Sequence, residues 1–471
     1  MHRERSWRYD PAMLTSGTPD IRASIGESER TLQITFGDRS RLATYKTYLP
    51  EQDLLLPPSL RDWLPENHLA YCVSDVVEQL DLSAIESVYE EEDRGQPPYH
   101  PRMMTKMLVY GYCVGVFSSR RIQKRLVEDV AFRVLAAGNQ PDFRTIADFR
   151  KLHLKALEGL FQQVLRLVLE VGALKLGRVA LDGSKVKANA SKHKAMSYGR
   201  MGETEKRLRE EVRKLLKQAE ATDEEEDKRY GRERQGDELP EELQRRETRI
   251  ARIQEAKKAL EERAREKAES ENKDGQEAKP ESKAQYNFTD PESRILKGPD
   301  GFVQGYNTQV GVEALFQLVV GQTVTQAAND KQQVVPLIEA IEEQSGQRPK
   351  EVLADSGYCS EENLKYLAKR RMAGFIATEK QKHGERNEPC KRGPIPKDAS
   401  RVERMKRKLK TKVGAAVYAR RKCMVEPVFG QIKQARGFRQ FLLRGLHKVR
   451  GEWALICMTH NLLKFHKICY G

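Results

Sequence analysis

Two short apolar runs that each end in an aspartate set the strongest limit on the fold of this chain. The first, residues 179–182 (Val-Ala-Leu-Asp), is followed by Gly183; the second, residues 352–355 (Val-Leu-Ala-Asp), is followed by Ser356 and Gly357. Short apolar runs bounded by glycine are typical of buried strands. If the two strands are parallel neighbours, both acids lie at the same edge of one sheet.

The order of the surrounding elements supports this arrangement. Alternating residues predict strands at 301–312 and 318–325, and a helix at 331–344 precedes the second aspartate run. A helix from Ser360, a short strand at 374–377 and closing helices follow that run. This order is that of a ribonuclease H-like mixed sheet, in which the first and fourth strands are parallel neighbours. We therefore predict an α/β fold.

Composition shifts along the chain predict its domains. Residues 1–45 lack periodicity and are expected to form a weakly ordered leader. Residues 46–172 show apolar positions at helical spacing and predict an all-helical N-terminal domain that binds DNA. Residues 173–471 form the ribonuclease H-like domain, which is interrupted after its first strand by a charged helical-hairpin insertion at 195–285. The two helices of this hairpin are expected to flank an acidic linker at 223–227.

A basic surplus predicts a polyanionic partner. The chain has 84 Lys and Arg against 69 Asp and Glu, which gives a net charge of +15 and a pI near 9.3. Arg120, Arg121 and Arg125 occur near the start of a predicted helix and are candidate DNA contacts, as are Arg144 and Arg150 on the next long helix. A plain helical bundle with solvated arginines fits the same pattern.

Other features exclude several classes of protein. The seven cysteines show no zinc spacing and are expected to be free thiols in a reducing compartment. The charged N-terminus is not followed by a signal-peptide core, and the longest apolar run, 107–117, is too short to span a bilayer. We expect a cytoplasmic protein that makes no use of a membrane.

A third acid, Glu426, lies in a basic helical segment. Three converging carboxylates would hold two divalent ions, and hard carboxylate oxygens suit Mg²⁺, with Mn²⁺ as a substitute. Helical spacing places Lys422 and Lys433 on the face of Glu426, where both could bind phosphates, and turns Arg421 elsewhere unless the helix bends. Pro427 predicts either a kink or the first turn of a new helix at this point.

These residues together resemble bacterial insertion-sequence transposases of the DDE type. Related transposases carry a tyrosine, an arginine and a lysine at fixed offsets around the glutamate; Lys433 matches, whereas Tyr418 and Arg421 lie one position further upstream. The resemblance extends over nearly all of residues 50–468. The motifs that carry it are 99–102 (YHPR), 118–121 (SSRR), 182–191 (DGSKVKANAS), 286–294 (YNFTDPESR), 305–307 (GYN), 354–358 (ADSGY) and 425–430 (VEPVFG).

The resemblance implies a function. Such an enzyme binds the terminal inverted repeats of its element, hydrolyses a phosphodiester and joins the freed 3′-hydroxyl to target DNA. Asp182, Asp355 and Glu426 would be its catalytic metal ligands, its partners would be double-stranded element ends and target DNA, and a homodimer would hold the two ends near the bacterial nucleoid. Two alternatives remain open: a DNA-binding regulator or domesticated remnant without chemistry, and a nuclease without strand transfer.

Overall fold

The computed structural model describes most of the chain after the leader. The described residues are 59–89, 97–170, 176–230, 241–270, 278–298, 301–379, 393, 395–396 and 398–470. The predicted leader at 1–45 lies outside them.

The N-terminal part of the described chain is helical, as the apolar spacing predicts, but it contains seven α-helices where the spacing indicated four. They are α1 (Leu69–Gln79), α2 (Ser83–Glu86), α3 (Pro101–Cys113), α4 (Ser119–Glu128), α5 (Val130–Leu135), α6 (Phe143–Leu152) and α7 (Leu154–Glu170). Asp142 fixes the start of α6, since its carboxylate accepts hydrogen bonds from the backbone N–H groups of Arg144 (2.5 Å) and Thr145 (3.0 Å).

A mixed sheet and further helices follow. Their order is β1 (Arg178–Lys187), β2 (Ala195–Ser197), α8 (Tyr198–Tyr230), α9 (Glu241–Ser270), β3 (Gln285–Asn287), β4 (Arg294–Gly298), β5 (Gly301–Glu313), β6 (Val319–Thr325), α10 (Val334–Ser345), β7 (Glu351–Ala354), α11 (Glu361–Lys369), β8 (Ala373–Ile376), α12 (Arg401–Lys410), α13 (Lys412–Gly430) and α14 (Leu446–Tyr470).

The pairing of the strands confirms the predicted neighbours. The sheet runs β4-β5-β1-β7-β8, and β6 also pairs with β5. β1 is antiparallel to β5 and parallel to β7, and β7 is parallel to β8. The alternating segments predicted at 301–312 and 318–325 are β5 and β6. The pattern did not indicate β4 or the small β2–β3 sheet, because these strands have only five and three residues and show no extended alternation.

The insertion contains two long helices, but its predicted linker is wrong. Residues 223–227 lie inside α8, which continues to Tyr230. Glutamate is a strong helix former, so an acidic run continues a helix as readily as it ends one. At the base of the hairpin, a small apolar cluster joins the two helices; it consists of Met201, Leu208, Ile253, Ala256 and Leu260.

The C-terminal helix joins the helical region to the sheet. α14 packs against α3, α7 and β6, and its Trp453 is fully buried. The core therefore continues from the N-terminal helices into the sheet as one cluster. No helix among the described residues has the length and apolar character needed to cross a lipid bilayer.

The prediction that Arg150 is exposed is wrong. The pattern suggested an exposed arginine available to DNA, whereas the side chain is buried. Its guanidinium donates to the carbonyl of Phe117 (2.8 Å) and to the hydroxyl of Tyr112 (3.2 Å). Arg150 therefore ties α6 to the end of α3, and its burial comes from the bundle packing that sequence spacing does not specify.

Close packing of β6 on α10 gives a stability prediction. A Cβ atom on Gly321 would lie 2.4 Å from Ile341 Cγ1 and 2.9 Å from Ile341 Cα, so Gly321→Ala should lower the free energy of unfolding by about 1–3 kcal/mol. Gly159→Ala is the control, because a Cβ there meets nothing within 4 Å and an alanine in α7 should add up to about 1 kcal/mol. Urea unfolding followed by circular dichroism measures both changes. If Gly321→Ala were as stable as the wild type, the close contact between Gly321 and Ile341 would be contradicted.

Candidate active site

The strand register brings Asp182 and Asp355 to one level of the sheet. Ala180 of β1 pairs with Leu353 of β7, and each aspartate lies two residues beyond its member of that pair. Asp182 lies inside β1, so the prediction that this strand ends at Asp182 is wrong; β1 continues to Lys187 because it pairs with β5 over that length. Asp355 follows the end of β7, as predicted, and starts a short turn. The prediction that these two elements are parallel neighbours is confirmed, and their carboxylates are close enough to influence each other electrostatically.

Asp182 is a partly buried acid with several charged groups around it. Burial raises the pKa of its carboxyl to about 6; the Arg421 charge opposes this rise, and the Asp355 and Asp330 charges add to it. The side chain is 19% exposed. The backbone N–H of Gly183 donates to Asp182 Oδ1 at 2.9 Å. Repulsion among the acids favours a cation at this position.

Asp355 is held by the turn that it starts. Its Oδ1 accepts a hydrogen bond from the backbone N–H of Gly357 at 2.9 Å. A Cβ atom on Gly357 would lie only 3.0 Å from that oxygen. Because glycine has no Cβ, the carboxylate stays accessible from the turn.

Arg421, not Lys422, faces the aspartates. Arg421 Nη1 lies 3.4 Å from Asp182 Oδ2, while Lys422 is exposed. The orientation of α13 explains this, because its buried residues include Val425, which lies one turn after Arg421 on the same helix face. Two of the guanidinium nitrogens, Nε and Nη1, are buried without a hydrogen-bond partner. Of these two nitrogens, Nη1 already makes the ion pair with Asp182, so Nε is the one that could still donate to an anion.

Lys433 reaches the same strand from a π-helical turn. Residues Gln431–Ala435 form this turn, which continues α13 one turn after Pro427. Such turns often occur at functional sites. Lys433 Nζ donates to Ser184 Oγ (2.5 Å) and to the carbonyl of Lys185 (2.9 Å), and burial lowers its pKa. Lys433 thus lies against β1 beside Asp182.

Glu426 is not assembled with the other two acids. It is exposed on α13, and Pro427 lies inside the helix and does not begin a new one. Within the described part of the chain, no three His, Cys, Asp or Glu side chains are placed to share a metal ion. Asp182 and Asp355 fit a divalent ion in their chemistry, since both are hard oxygen donors at the same level of the sheet. The third predicted ligand requires a movement of α13 or of its side chain.

Sequence reasoning missed Asp330, which lies in the loop between β6 and α10. Its carboxylate contributes to the raised pKa of Asp182, after burial and Asp355. Asp330 Oδ1 accepts hydrogen bonds from Asn307 Nδ2 and Gln309 Nε2, both at 2.7 Å. In the sequence it follows Ala-Ala-Asn and resembles an ordinary turn acid. Asp330 lies near Asp182 because β5, which carries its hydrogen-bond partners, pairs with β1. The local sequence around Asp330 does not indicate this.

The arginines of α4 lie on the surface, as predicted. Arg120, Arg121 and Arg125 are all exposed. The Arg120 guanidinium lies 4.0 Å from the centre of the Phe143 ring, and Arg125 lies 3.5 Å from Asp129. Only a weak contribution is expected from such an exposed ion pair. This surface can meet a phosphate backbone.

Two family models match the chain. A family described as Transposase domain (DUF772) matches residues 58–152, and one described as Transposase DDE domain matches residues 274–462. The second match includes Asp355 and Glu426 but begins after Asp182 and the hairpin. Neither curated proteins nor solved structures gave a match.

The chain belongs to the DDE-type transposases of insertion sequences. The helical region from α1 to α6 corresponds to the first match, and the elements from β3 to most of α14 correspond to the second. DNA is accordingly the partner of this transposase, and its enzymatic class is that of nucleases and polynucleotidyl transferases, which use divalent metal ions.

The buried acid predicts an unusual pH dependence of stability in the metal-free transposase. The folded state binds the Asp182 proton more tightly than the unfolded chain, because burial raises the pKa from 3.8 to about 6. The wild type should therefore lose about 2 kcal/mol relative to Asp182→Asn as the pH rises from about 4 to 7.

Urea unfolding of both proteins in EDTA, at a series of pH values, measures this difference. The Arg421 ion pair forms only with the ionised carboxylate, and its opposing effect is already contained in the net rise of the Asp182 pKa. A pH-independent difference between the two proteins would contradict the burial of an ionisable Asp182.

Proposed function

We propose that this transposase binds the terminal inverted repeats of its element, hydrolyses a phosphodiester at each end and transfers the freed strand to target DNA. The observation that carries the proposal is the in-register position of Asp182 and Asp355 beyond a parallel strand pair. The strand order supports the ribonuclease H-like assignment, since the antiparallel β6-β5-β1 part is extended by the parallel strands β7 and β8.

We infer that Mg²⁺, or Mn²⁺ in its place, is held by Asp182, Asp355 and Glu426. Bound divalent ions would stabilise the attacking and leaving oxygens of the phosphodiester. Glu426 lies on α13, the helix whose Arg421 already contacts Asp182, so a movement of this helix or of the Glu426 side chain would bring the third acid to the pair.

The basic residues of α13 and the π-helical turn are suited to position the DNA. Arg421 Nε is buried without a hydrogen-bond partner, and a phosphate oxygen could accept a hydrogen bond from it. Lys433 lies against Ser184 and adds positive charge beside the same strand. Lys422 is exposed on the outer surface of α13, where it could contact the DNA backbone further from the reacting phosphate.

The helical N-terminal region is proposed to bind the element ends. Its α4 surface carries Arg120, Arg121 and Arg125, and the residue before α4, Ser118, makes no side-chain capping hydrogen bond, so the free N–H groups of the first turn can meet a phosphate. Two ends must be held together for strand transfer, and we propose that a homodimer does so.

Cleavage of a supercoiled plasmid that carries the element ends tests the chemistry. Asp182→Asn, Asp355→Asn and Glu426→Gln should each reduce Mg²⁺-dependent cleavage at least about 10²-fold, because each removes an ionised oxygen donor. Glu343→Gln is the control, since Glu343 is an exposed acid on α10. Cleaved and joined products support the full proposal, and cleavage without joining supports a nuclease.

The same assay separates the remaining alternative. Binding of the ends without cleavage by the wild type would support a regulator or remnant. Full activity of Glu426→Gln would remove only Glu426 from the ligand set. Full activity of Asp182→Asn or Asp355→Asn would overturn the assigned site.

The α4 surface can be tested through the salt dependence of DNA binding. Arg121→Gln should weaken binding to a duplex that carries the element end and reduce the slope of log K against log salt concentration by about 1, which corresponds to one lost phosphate contact. Arg166→Gln is the control, because it removes the same charge from an exposed position on α7. Fluorescence anisotropy measures both variants. Equal slopes would place the DNA on another surface.

A further inference from the structure

Asp330 lies against the backbone beside both aspartates of the site. A Cβ atom on Gly183, the residue after Asp182, would lie 3.0 Å from Asp330 Oδ1. A Cβ atom on Gly357 would lie 3.0 Å from Asp355 Oδ1 and 3.7 Å from Asp330 Oδ2. The two glycines thus allow the Asp330 carboxylate to approach β1 and the turn after β7 at once.

Three donors converge on one oxygen of this carboxylate. Asn307 Nδ2 and Gln309 Nε2 donate to Asp330 Oδ1 at 2.7 Å, and Lys185 Nζ donates to it at 3.4 Å. Lys185 is on β1, whereas Asn307 and Gln309 are on the neighbouring β5. Asp330 therefore links the two central strands of the sheet through their side chains.

The network extends to the second aspartate through a buried tyrosine. The hydroxyl of Tyr358 donates to Gln309 Oε1, and Tyr358 is fully buried in the turn that Asp355 starts. Gln309 thus connects Asp330 to the turn that positions Asp355. Hydrogen bonds from the described residues to the Asp330 carboxylate fall on Oδ1, which leaves Oδ2 directed toward the Gly357 turn.

We propose that Asp330 is a positioning residue of the cleavage reaction. It holds Lys185 beside the site and, through Gln309 and Tyr358, fixes the turn of Asp355, while its charge strengthens the attraction of the aspartate pair for a divalent cation. This proposal rests on the assignment of Asp182 and Asp355 as the reacting site. Groups that orient metal-binding residues in this way typically change metal affinity or activity by about 10–100-fold when they are replaced.

The test uses the full-length Asp330→Asn protein, which keeps the side-chain shape and removes the charge. Mn²⁺ affinity, measured by calorimetry without DNA, should fall about 10-fold or more, and plasmid cleavage should fall about 10–100-fold. Asp398→Asn is the matched control, since Asp398 is exposed in the loop before α12. It should keep the wild-type values of both quantities.

Lys185→Gln provides a second variant that leaves Asp330 in place. It should reduce cleavage without weakening Mn²⁺ binding, because it removes a positive charge from the site. In the double variant the losses of cleavage should be less than multiplicative, since the two residues act through one contact. If Asp330→Asn does not fold, wild-type cleavage by Lys185→Gln would overturn the proposal.

Other outcomes are equally decisive. If Asp330→Asn lowers only the unfolding midpoint and keeps the Mn²⁺ affinity and the cleavage rate per folded molecule, Asp330 has a purely structural role and the proposal is wrong. If Asp182→Asn retains cleavage, the assignment of the reacting site in the proposed function is wrong. This result is distinct from a failure of the Asp330 proposal alone, in which Asp182→Asn loses cleavage and Asp330→Asn keeps it.

Discussion

The parallel pairing of β1 with β7 is the constraint on which the whole site depends. Because Ala180 faces Leu353, the aspartates two residues further on reach the same level of the sheet. A slip of the register by one residue would turn every side chain of one strand to the opposite face. β5, on the other side of β1, then supplies the amides that hold Asp330. These two registers, β1 with β7 and β1 with β5, together place residues from four separate parts of the chain.

Charged groups of both signs lie together in the candidate site of this transposase. Asp182, Asp355 and Asp330 provide negative charge, while Arg421 and Lys185 provide nearby positive charge. A divalent cation would compete with Arg421 for Asp182. Under the proposed function, the guanidinium released from Asp182 would donate to a DNA phosphate, and its Nε already lacks a hydrogen-bond partner. This exchange of partners gives a physical reason for a basic helix beside an acidic site.

Much of the fold could be predicted from local patterns. The helical spacing of the N-terminal region and the alternation in β5 and β6 both correspond to observed elements. The errors have identifiable causes. The acidic run at 223–227 continues α8, because glutamate favours helices. Arg150 is buried by helices that are distant in sequence, and β2 and β3 are too short to show a period.

The sequence by itself determined the longer elements, their order and the two strand segments that carry the aspartates, because periodicity is a local property of the chain. The tertiary structure decided which charged groups surround those aspartates. Arg421 faces Asp182 because the buried residues of α13 set the rotation of that helix. Asp330 lies in the site because the β1–β5 register places its hydrogen-bond partners there. The rotation of α13 that turns Arg421 toward Asp182 also leaves Glu426 exposed. These positions depend on packing between distant segments, and spacing along the chain does not encode them.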